Sequence, residues 1–157
     1  MAKKELNIKK LMLVGRSEAG KTTLTQALRG ENLSYEKTQA VDYSNILIDT
    51  PGEYIQSREF GAALALYAYE SDIVGLLASA TEPYSLFSPN ITGMTTREVI
   101  GIVTKIDHPD ANPDRVENWL RLAGCEKVFR VSSYTGEGID DLIEHLSKSN
   151  KNQQKTT

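Results

Sequence analysis

Residues 15–22 read Gly-Arg-Ser-Glu-Ala-Gly-Lys-Thr, and this stretch decides the fold because of what flanks it. The apolar run Leu11–Val14 precedes it, and a segment with helical character, Thr23–Leu28, follows it. A glycine, four residues and Gly-Lys-Thr between a strand and a helix form the phosphate-binding loop pattern. The sequence therefore predicts a loop whose backbone N–H groups surround a polyphosphate at the positive end of a helix.

Each residue type in this loop has a chemical reason to be there. Gly15 and Gly20 permit the tight wrap, Lys21 can reach the β- and γ-phosphates, and the Thr22 hydroxyl can bind Mg²⁺. The alternative is a turn that binds nothing, which gives no packing reason for a Lys-Thr pair. The residues predicted to contact the phosphates are Gly15, Arg16, Ser17, Glu18, Ala19, Gly20, Lys21, Thr22 and Thr23.

Composition indicates one globular domain. The chain has 157 residues, of which 39% are hydrophobic and 25% charged, with a net charge of −3 and a pI of about 5.5. This charge predicts no general attraction to nucleic acid. A single cysteine, Cys125, excludes an intrachain disulfide framework and suits a reducing cytosol. No apolar run approaches the length of a membrane span, so we expect a cytoplasmic protein.

Apolar patterning predicts alternating strands and helices. Strands are expected at residues 7–14, 40–43, 46–48, 73–78, 99–103 and 128–131. Helices are expected at residues 21–29, stopped by Gly30, and at 54–70, 113–123 and 139–146. Ser88-Pro89 could cap a short helix running towards Met94. The polar residues 148–157 are expected to be a disordered tail.

This alternation predicts an α/β fold with a doubly wound, mostly parallel six-stranded sheet and helices on both faces, over residues 1–147. A tight hairpin at Ser44-Asn45 would make one strand antiparallel. Ligands of such sheets bind outside the carboxyl ends of the strands, and every candidate site residue follows a strand.

Residues 38–53 contain candidate ligands of the metal ion and candidate contacts of the γ-phosphate. Asp49 follows a strand and is expected to hold Mg²⁺ through water, while the Gly52 backbone would sense the γ-phosphate. Thr38 is a candidate second hydroxyl on Mg²⁺, which would make its loop a switch; it could equally be a solvated threonine. Glu53 stands where a glutamine often orients the attacking water, but it could simply stabilise the first turn of a helix. We favour the helix-stabilising interpretation and therefore expect slow hydrolysis.

Two later loops are candidates for recognising the base. In Thr104-Lys105-Ile106-Asp107, the carboxylate can accept two hydrogen bonds from guanine, and the Lys105 stem can cover the base plane. The alternative for Lys105 and Asp107 is a solvated loop with one ion pair. The loop Ser132-Ser133-Tyr134 offers backbone N–H groups to the guanine carbonyl.

Together these motifs resemble the guanine-nucleotide-binding fold of translation factors and small GTPases, over residues 8–147. The Gly-Arg start of the loop and Asp-Thr-Pro-Gly at 49–52 look most like the Era-type branch. The segments 37–41, 49–54 and 103–107 are similar to the EutP/PduV family of ethanolamine- and propanediol-utilisation proteins. That resemblance implies bacterial catabolism in protein-shelled microcompartments, with shell or enzyme proteins as partners.

The chain departs from the general pattern in two motifs. Thr104 stands where asparagine is usual, which predicts a looser base loop and a weaker preference for GTP over ATP. Ser-Ser-Tyr at 132–134 replaces the usual Ser-Ala-Lys.

Three hypotheses follow. The first is a Mg²⁺-dependent GTP-binding protein with slow hydrolysis, in which Lys21, Gly52 and Glu53 are the catalytic candidates. The second, raised by the resemblance, is ATP-dependent phosphorylation of acetate. The sequence shows no evident pair of arginines to bind the carboxylate, although Arg16 and Arg58 are candidates. The third is a non-catalytic module that docks on a partner.

Overall fold

The computed structural model describes residues 9–16, 19–35, 41–42, 58–69, 71–85 and 87–146. Within this part, five strands form one sheet in the order β2-β1-β3-β4-β5, and all four pairings are parallel. The strands are β1 (Lys9–Val14), β2 (Val41–Asp42), β3 (Ile73–Ser79), β4 (Glu98–Thr104) and β5 (Val128–Arg130). The helices are α1 (Lys21–Tyr35), α2 (Arg58–Ala68), α3 (Pro113–Leu122) and α4 (residues 139–146), with a 3-10 helix at Ile91–Met94.

Helices cover both faces of the sheet. The alternating side chains of β1 show which helices lie on which face. Met12 and Val14 belong to one buried cluster, which includes Leu64 of α2 and Leu120 of α3. Leu11 and Leu13 belong to a second cluster on the opposite face, with Leu24 and Leu28 of α1 and Leu142 and Leu146 of α4. Successive side chains of a strand point to opposite faces. The predicted doubly wound α/β fold is thereby confirmed.

The central strands are covered on both sides. All seven residues of β3 are buried, and so are the last five of β4. Such strands lack the apolar-polar alternation of a half-exposed sheet, which is why an unbroken apolar run predicted them. Their pairing from Ile73 with Glu98 to Ser79 with Thr104 brings both carboxyl ends to the same edge of the sheet.

Two predicted boundaries are wrong. Gly30 does not end the first helix, because α1 continues through it to Tyr35. Glycine in a helix interior costs about 0.8–1 kcal/mol relative to alanine, which weakens a helix but does not stop it. The predicted short helix does end at Met94, but Asn90, with φ of 62°, occupies its N-cap position in place of Ser88-Pro89.

Some predictions lie outside the described residues. The second half of the predicted hairpin, at 46–48, is among them, and so is the tail after residue 146. Val41–Asp42 is described and lies parallel to β1 at the edge of the sheet. In the described chain, no helix combines the length and the apolar character needed to span a membrane.

Cys125 packs as a small hydrophobic residue after α3, as predicted. Its side chain is 2% exposed, and burial raises the pKa of its thiol to about 12, although Arg121 opposes this shift. A thiol with so high a pKa stays protonated and is a poor nucleophile.

Candidate functional site: the loops at the carboxyl edge of the sheet

The predicted phosphate loop begins at a glycine that packs directly on β3. A Cβ atom on Gly15 would lie 2.9 Å from the Leu77 carbonyl oxygen, so no larger residue fits without movement. Gly20 has φ of +95°, a conformation that residues with a side chain rarely adopt. Both glycines of the motif are therefore required by the backbone geometry.

Lys21 is folded into the centre of this loop. Its ammonium donates to the carbonyl oxygens of Gly15, at 2.7 Å, and of Arg16, at 3.1 Å, and the residue is only 4% exposed. The Arg16 carbonyl also accepts from the Ala19 N–H at 2.9 Å, which closes the turn. The loop thus encloses a positive charge next to the N-terminus of α1.

The start of α1 is suited to an anion. The N–H groups of a first helical turn have no acceptor within the helix, and the helix dipole favours negative charge there. The first turn of α1 carries no acidic residue that would offset this field. Thr22 and Thr23 are exposed in this turn, so their hydroxyls are accessible to a ligand.

The donors present fit Mg²⁺ only in part. Mg²⁺ is usually held by one or two protein ligands together with phosphates and water. The exposed hydroxyl of Thr22 can serve as one such ligand. The described residues contain no cluster of three His, Cys, Asp or Glu side chains able to hold a metal. Two of the three predicted Mg²⁺ ligands, Thr38 and Asp49, lie outside the described residues.

Thr104 ties the base loop to the phosphate loop. Its hydroxyl donates to the Ala19 carbonyl at 2.6 Å, and the residue is 3% exposed. The hydroxyl therefore connects the two loops without an amide, and the weaker preference for GTP over ATP stays a prediction. Lys105 follows with φ of 59°, which is uncommon outside glycine. Its Cε lies 4.0 Å from an ideal Gly20 Cβ position.

Asp107 is exposed but held in place. The Ser132 hydroxyl donates to its Oδ1 at 2.9 Å, and Ser132 is fully buried. Ser132 Oγ in turn accepts from the Thr135 N–H at 3.1 Å. The sequence-predicted loops after β4 and β5 therefore meet, and one residue fixes the carboxylate.

The predicted role of Ser132 needs a correction. Its backbone N–H donates to the Glu137 carbonyl at 2.9 Å, so it is not directed at a ligand. In the described chain, the N–H groups of Ser133 and Tyr134 have no protein acceptor, which leaves them as the candidates for the base. The Tyr134 side chain is 89% exposed.

No sequence pattern predicted a role for Glu82. This carboxylate, 5% exposed, pairs with Arg16 at 2.9 Å. The Arg115 guanidinium donates to the Glu82 carbonyl oxygen at 2.8 Å. Arg16 and Glu82 line a cleft of about 290 Å³, together with Thr81 and Lys105. The sequence signal that could have indicated Glu82 is its position, shortly after the carboxyl end of a buried strand.

Six of the predicted site residues lie outside the described residues, namely Ser17, Glu18, Thr38, Asp49, Gly52 and Glu53. His108 accepts from the Asp110 N–H at 3.0 Å in its own loop. His145 lies 2.6 Å from Glu98 at the opposite edge of the sheet.

The α/β fold, with the phosphate loop at the carboxyl edge of its sheet, is that of the P-loop class of nucleotide-binding proteins. Over its whole fold the chain is similar to the FeoB G-domain from Methanococcus jannaschii, with a TM-score of 0.60 and 22% identity over 93% of this chain and 99% of that one. The family model described as "Ethanolamine utilisation - propanediol utilisation" matches residues 8–148. The chain belongs to this family, as the EutP/PduV resemblance indicated.

Two relatives illustrate the range of names in the family. The propanediol utilization protein PduV of Citrobacter freundii is 48% identical over 89% of this chain and 94% of its own length. The protein named "Probable acetate kinase EutP" of Escherichia coli strain K12 is 30% identical over 94% of both chains.

Proposed function

We propose that this protein binds a guanine nucleotide with Mg²⁺ and hydrolyses GTP slowly. The observation that carries the proposal is the position of Asp107. Its carboxylate is held by Ser132 on the same sheet edge as the phosphate loop, and Thr104 joins that edge to Ala19.

The chemistry of the base explains why Asp107 favours guanine. An ionised carboxylate only accepts hydrogen bonds, and guanine presents an N1–H and an exocyclic amine side by side. Adenine has no such pair of donors. A carboxylate fixed by Ser132 loses less conformational freedom on binding than a mobile one. Its hydrogen bonds to guanine therefore cost less entropy.

The remaining roles follow from the loop. Lys21 would exchange its carbonyl partners for β- and γ-phosphate oxygens, while the N–H groups from Ala19 to Thr23 surround the phosphates. Thr22 would hold Mg²⁺, together with Asp49 and Thr38, and the ion would neutralise charge on the phosphates. Gly52 would sense the γ-phosphate. Slow hydrolysis is proposed because a carboxylate at Glu53 would repel that phosphate.

Nucleotide titration tests the proposal. The full-length protein is titrated with fluorescent GTP, GDP and ATP analogues, with Mg²⁺ and with a chelator. We expect GTP to bind at least ~10-fold more tightly than ATP, a difference of about 1.4 kcal/mol, and to need Mg²⁺ for full affinity. Equal or tighter ATP binding would remove the guanine assignment. Absence of binding by any nucleotide would remove the whole proposal.

The alternative of acetate phosphorylation gains no support from the described contacts. Arg16, one of its two candidate ligands, is paired with Glu82, and Arg58 begins α2. Coupled detection of acetyl phosphate from ATP and acetate remains the direct assay, and product formation would reinstate this activity.

The proposed setting rests on the family. Ethanolamine and propanediol catabolism implies partners among microcompartment shell or enzyme proteins, in the cytoplasm. The lone, buried Cys125 suits a reducing compartment. A module that docks without using its nucleotide would keep its function after Lys21→Ala, which distinguishes it from a nucleotide-dependent protein.

A further inference from the structure

The pair formed by Arg16 and Glu82 joins the phosphate loop to a segment far along the chain. The two residues are 66 positions apart, and Arg16 Nη1 lies 2.9 Å from Glu82 Oε1. Glu82 is 5% exposed, whereas the Arg16 side chain is 28% exposed. A buried carboxylate is costly unless it is paired, so a structural reason alone would favour an apolar residue here.

Glu82 is itself rigidly placed. Its N–H donates to the Ser79 carbonyl at 3.0 Å, at the end of β3, and its carbonyl oxygen accepts from Arg115 of α3 at 2.8 Å. Both contacts are made by the main chain of Glu82, so its backbone is held by a strand and a helix, and neither belongs to the phosphate loop. It forms a fixed point to which the loop can attach.

Arg16 is held from two sides. Its side chain is bound by Glu82, while its carbonyl oxygen accepts from the Lys21 ammonium and the Ala19 N–H. If Lys21 turns to a phosphate, as the proposed function requires, the Arg16 carbonyl loses one of these partners. The ion pair with Glu82 would then remain as a side-chain contact that holds Arg16, the second residue of the loop, to a segment outside the loop.

We propose that Glu82 is a positioning residue for nucleotide binding, which acts through Arg16 to hold the phosphate loop in its binding conformation. This inference rests on the proposed function. Simple electrostatics predicts the opposite effect, because a carboxylate near the loop would repel phosphates and its removal would tighten binding. The direction of the change in affinity therefore separates the two accounts.

The test is fluorescent-GTP titration of full-length Glu82→Gln with Mg²⁺. Glutamine keeps the size of the side chain but removes the charge, so the loop is expected to be less ordered and GTP affinity to fall about fivefold, mainly through faster dissociation. Unchanged or tighter binding would overturn the inference. If wild-type protein binds no nucleotide, the proposed function fails first; if it binds and Glu82→Gln binds equally well, only this inference fails.

A double-mutant cycle shows whether the effect runs through Arg16. Arg16→Gln alone is expected to weaken binding, and adding Glu82→Gln is expected to cause little further loss, because both changes break one link. Losses that simply add would contradict the proposal. Should Glu82→Gln not fold, Arg16→Lys keeps the charge but loses the guanidinium geometry; it is expected to weaken binding, and wild-type affinity would overturn the proposal.

The matched control is Glu117→Gln. Glu117 also pairs with arginines, but on the outer surface of α3. This variant is expected to bind GTP as the wild type does, and a comparable loss there would show that removing any paired carboxylate is sufficient, which would contradict the proposal.

Discussion

The same types of polar side chain occur in two regions of the molecule, but their burial and their contacts differ. At the carboxyl edge of the sheet, the buried polar side chains of Glu82, Thr104 and Ser132 each contact another loop. On the outer surface of α3 and β5, Arg130 bonds Asp114 at 2.6 Å and Glu117 at 2.7 Å, yet the Asp114 side chain is 87% exposed. Of the seven buried polar residues in the described chain, five lie at the carboxyl edge: Lys21, Ser79, Glu82, Thr104 and Ser132.

The difference separates an arranged site from ordinary surface. Burying a polar group costs about 1–3 kcal/mol if its hydrogen bond is lost, so buried groups persist only where they are well paired. An exposed ion pair typically contributes about 0–1 kcal/mol. We therefore expect changes at the carboxyl edge to alter both nucleotide binding and stability, and changes on the outer surface to alter neither by much.

The largest expected effect comes from Lys21→Ala. Hydrogen bonds to charged groups contribute about 1.5–3 kcal/mol each, and Lys21 is proposed to make at least two to the phosphates, so GTP affinity should fall at least ~100-fold. Titration with a fluorescent GTP analogue measures this, with circular dichroism to verify folding. Lys127→Ala, which removes an exposed lysine at the other edge, is the control. An affinity within threefold of wild type would contradict the proposed role.

The next effect concerns the link between the two loops. Thr104→Val keeps the shape of the side chain but leaves the Ala19 carbonyl without its donor, so we expect unfolding to become about 1–3 kcal/mol easier and GTP affinity to fall ~10-fold. Denaturant unfolding and GTP titration measure the two changes.

Ser71→Ala is the control for Thr104→Val, because Ser71 is also buried and bonds the Ala68 carbonyl, but at the amino edge of the sheet. It should lose some stability while GTP affinity stays the same. A loss of binding in both variants would mean that stability, and not the loop link, sets the affinity.

A smaller effect is expected for base selectivity. Ser132→Ala removes the hydroxyl that holds Asp107, so the preference for GTP over ATP should decrease about three- to tenfold, or by about 0.7–1.4 kcal/mol. Competition between the two nucleotides measures it. Ser79→Ala, at the same edge but bonded to Thr81, should leave the ratio unchanged. A constant ratio in Ser132→Ala would show that Asp107 is positioned without Ser132.

The smallest effect is expected on the outer surface. Burial by itself would raise the pKa of Glu117. Hydrogen bonds from Arg121 and Arg130 outweigh this effect and hold the pKa below its ordinary value of 4.5. Its stabilising contribution is therefore present above pH 4.5 and is lost as the pH falls below that value. Glu117→Gln should change the free energy of unfolding by at most about 1 kcal/mol at pH 7, and by less in high salt. A larger change at pH 7 would mean that this surface also contributes to the fold.

The sequence predicted the elements that rest on local pattern. Unbroken apolar runs located β3 and β4, and the glycine spacing located the loop before α1. The pairing of Arg16 with Glu82 was out of reach, because an ion pair across 66 residues leaves no periodic signal. The hydroxyl link from Thr104 was missed for a related reason, since its acceptor is a backbone carbonyl, which no residue type reveals.

The links at the carboxyl edge join residues that are 85 and 66 positions apart. A fragment that ends before β4 lacks Thr104, Asp107 and Ser132, so it cannot assemble the proposed base site. Under the proposed function, tight nucleotide uptake would therefore report that the chain has been made and folded at least through Ser132. A saturating nucleotide would in turn protect the finished chain, because a ligand that binds only the native form opposes unfolding by mass action.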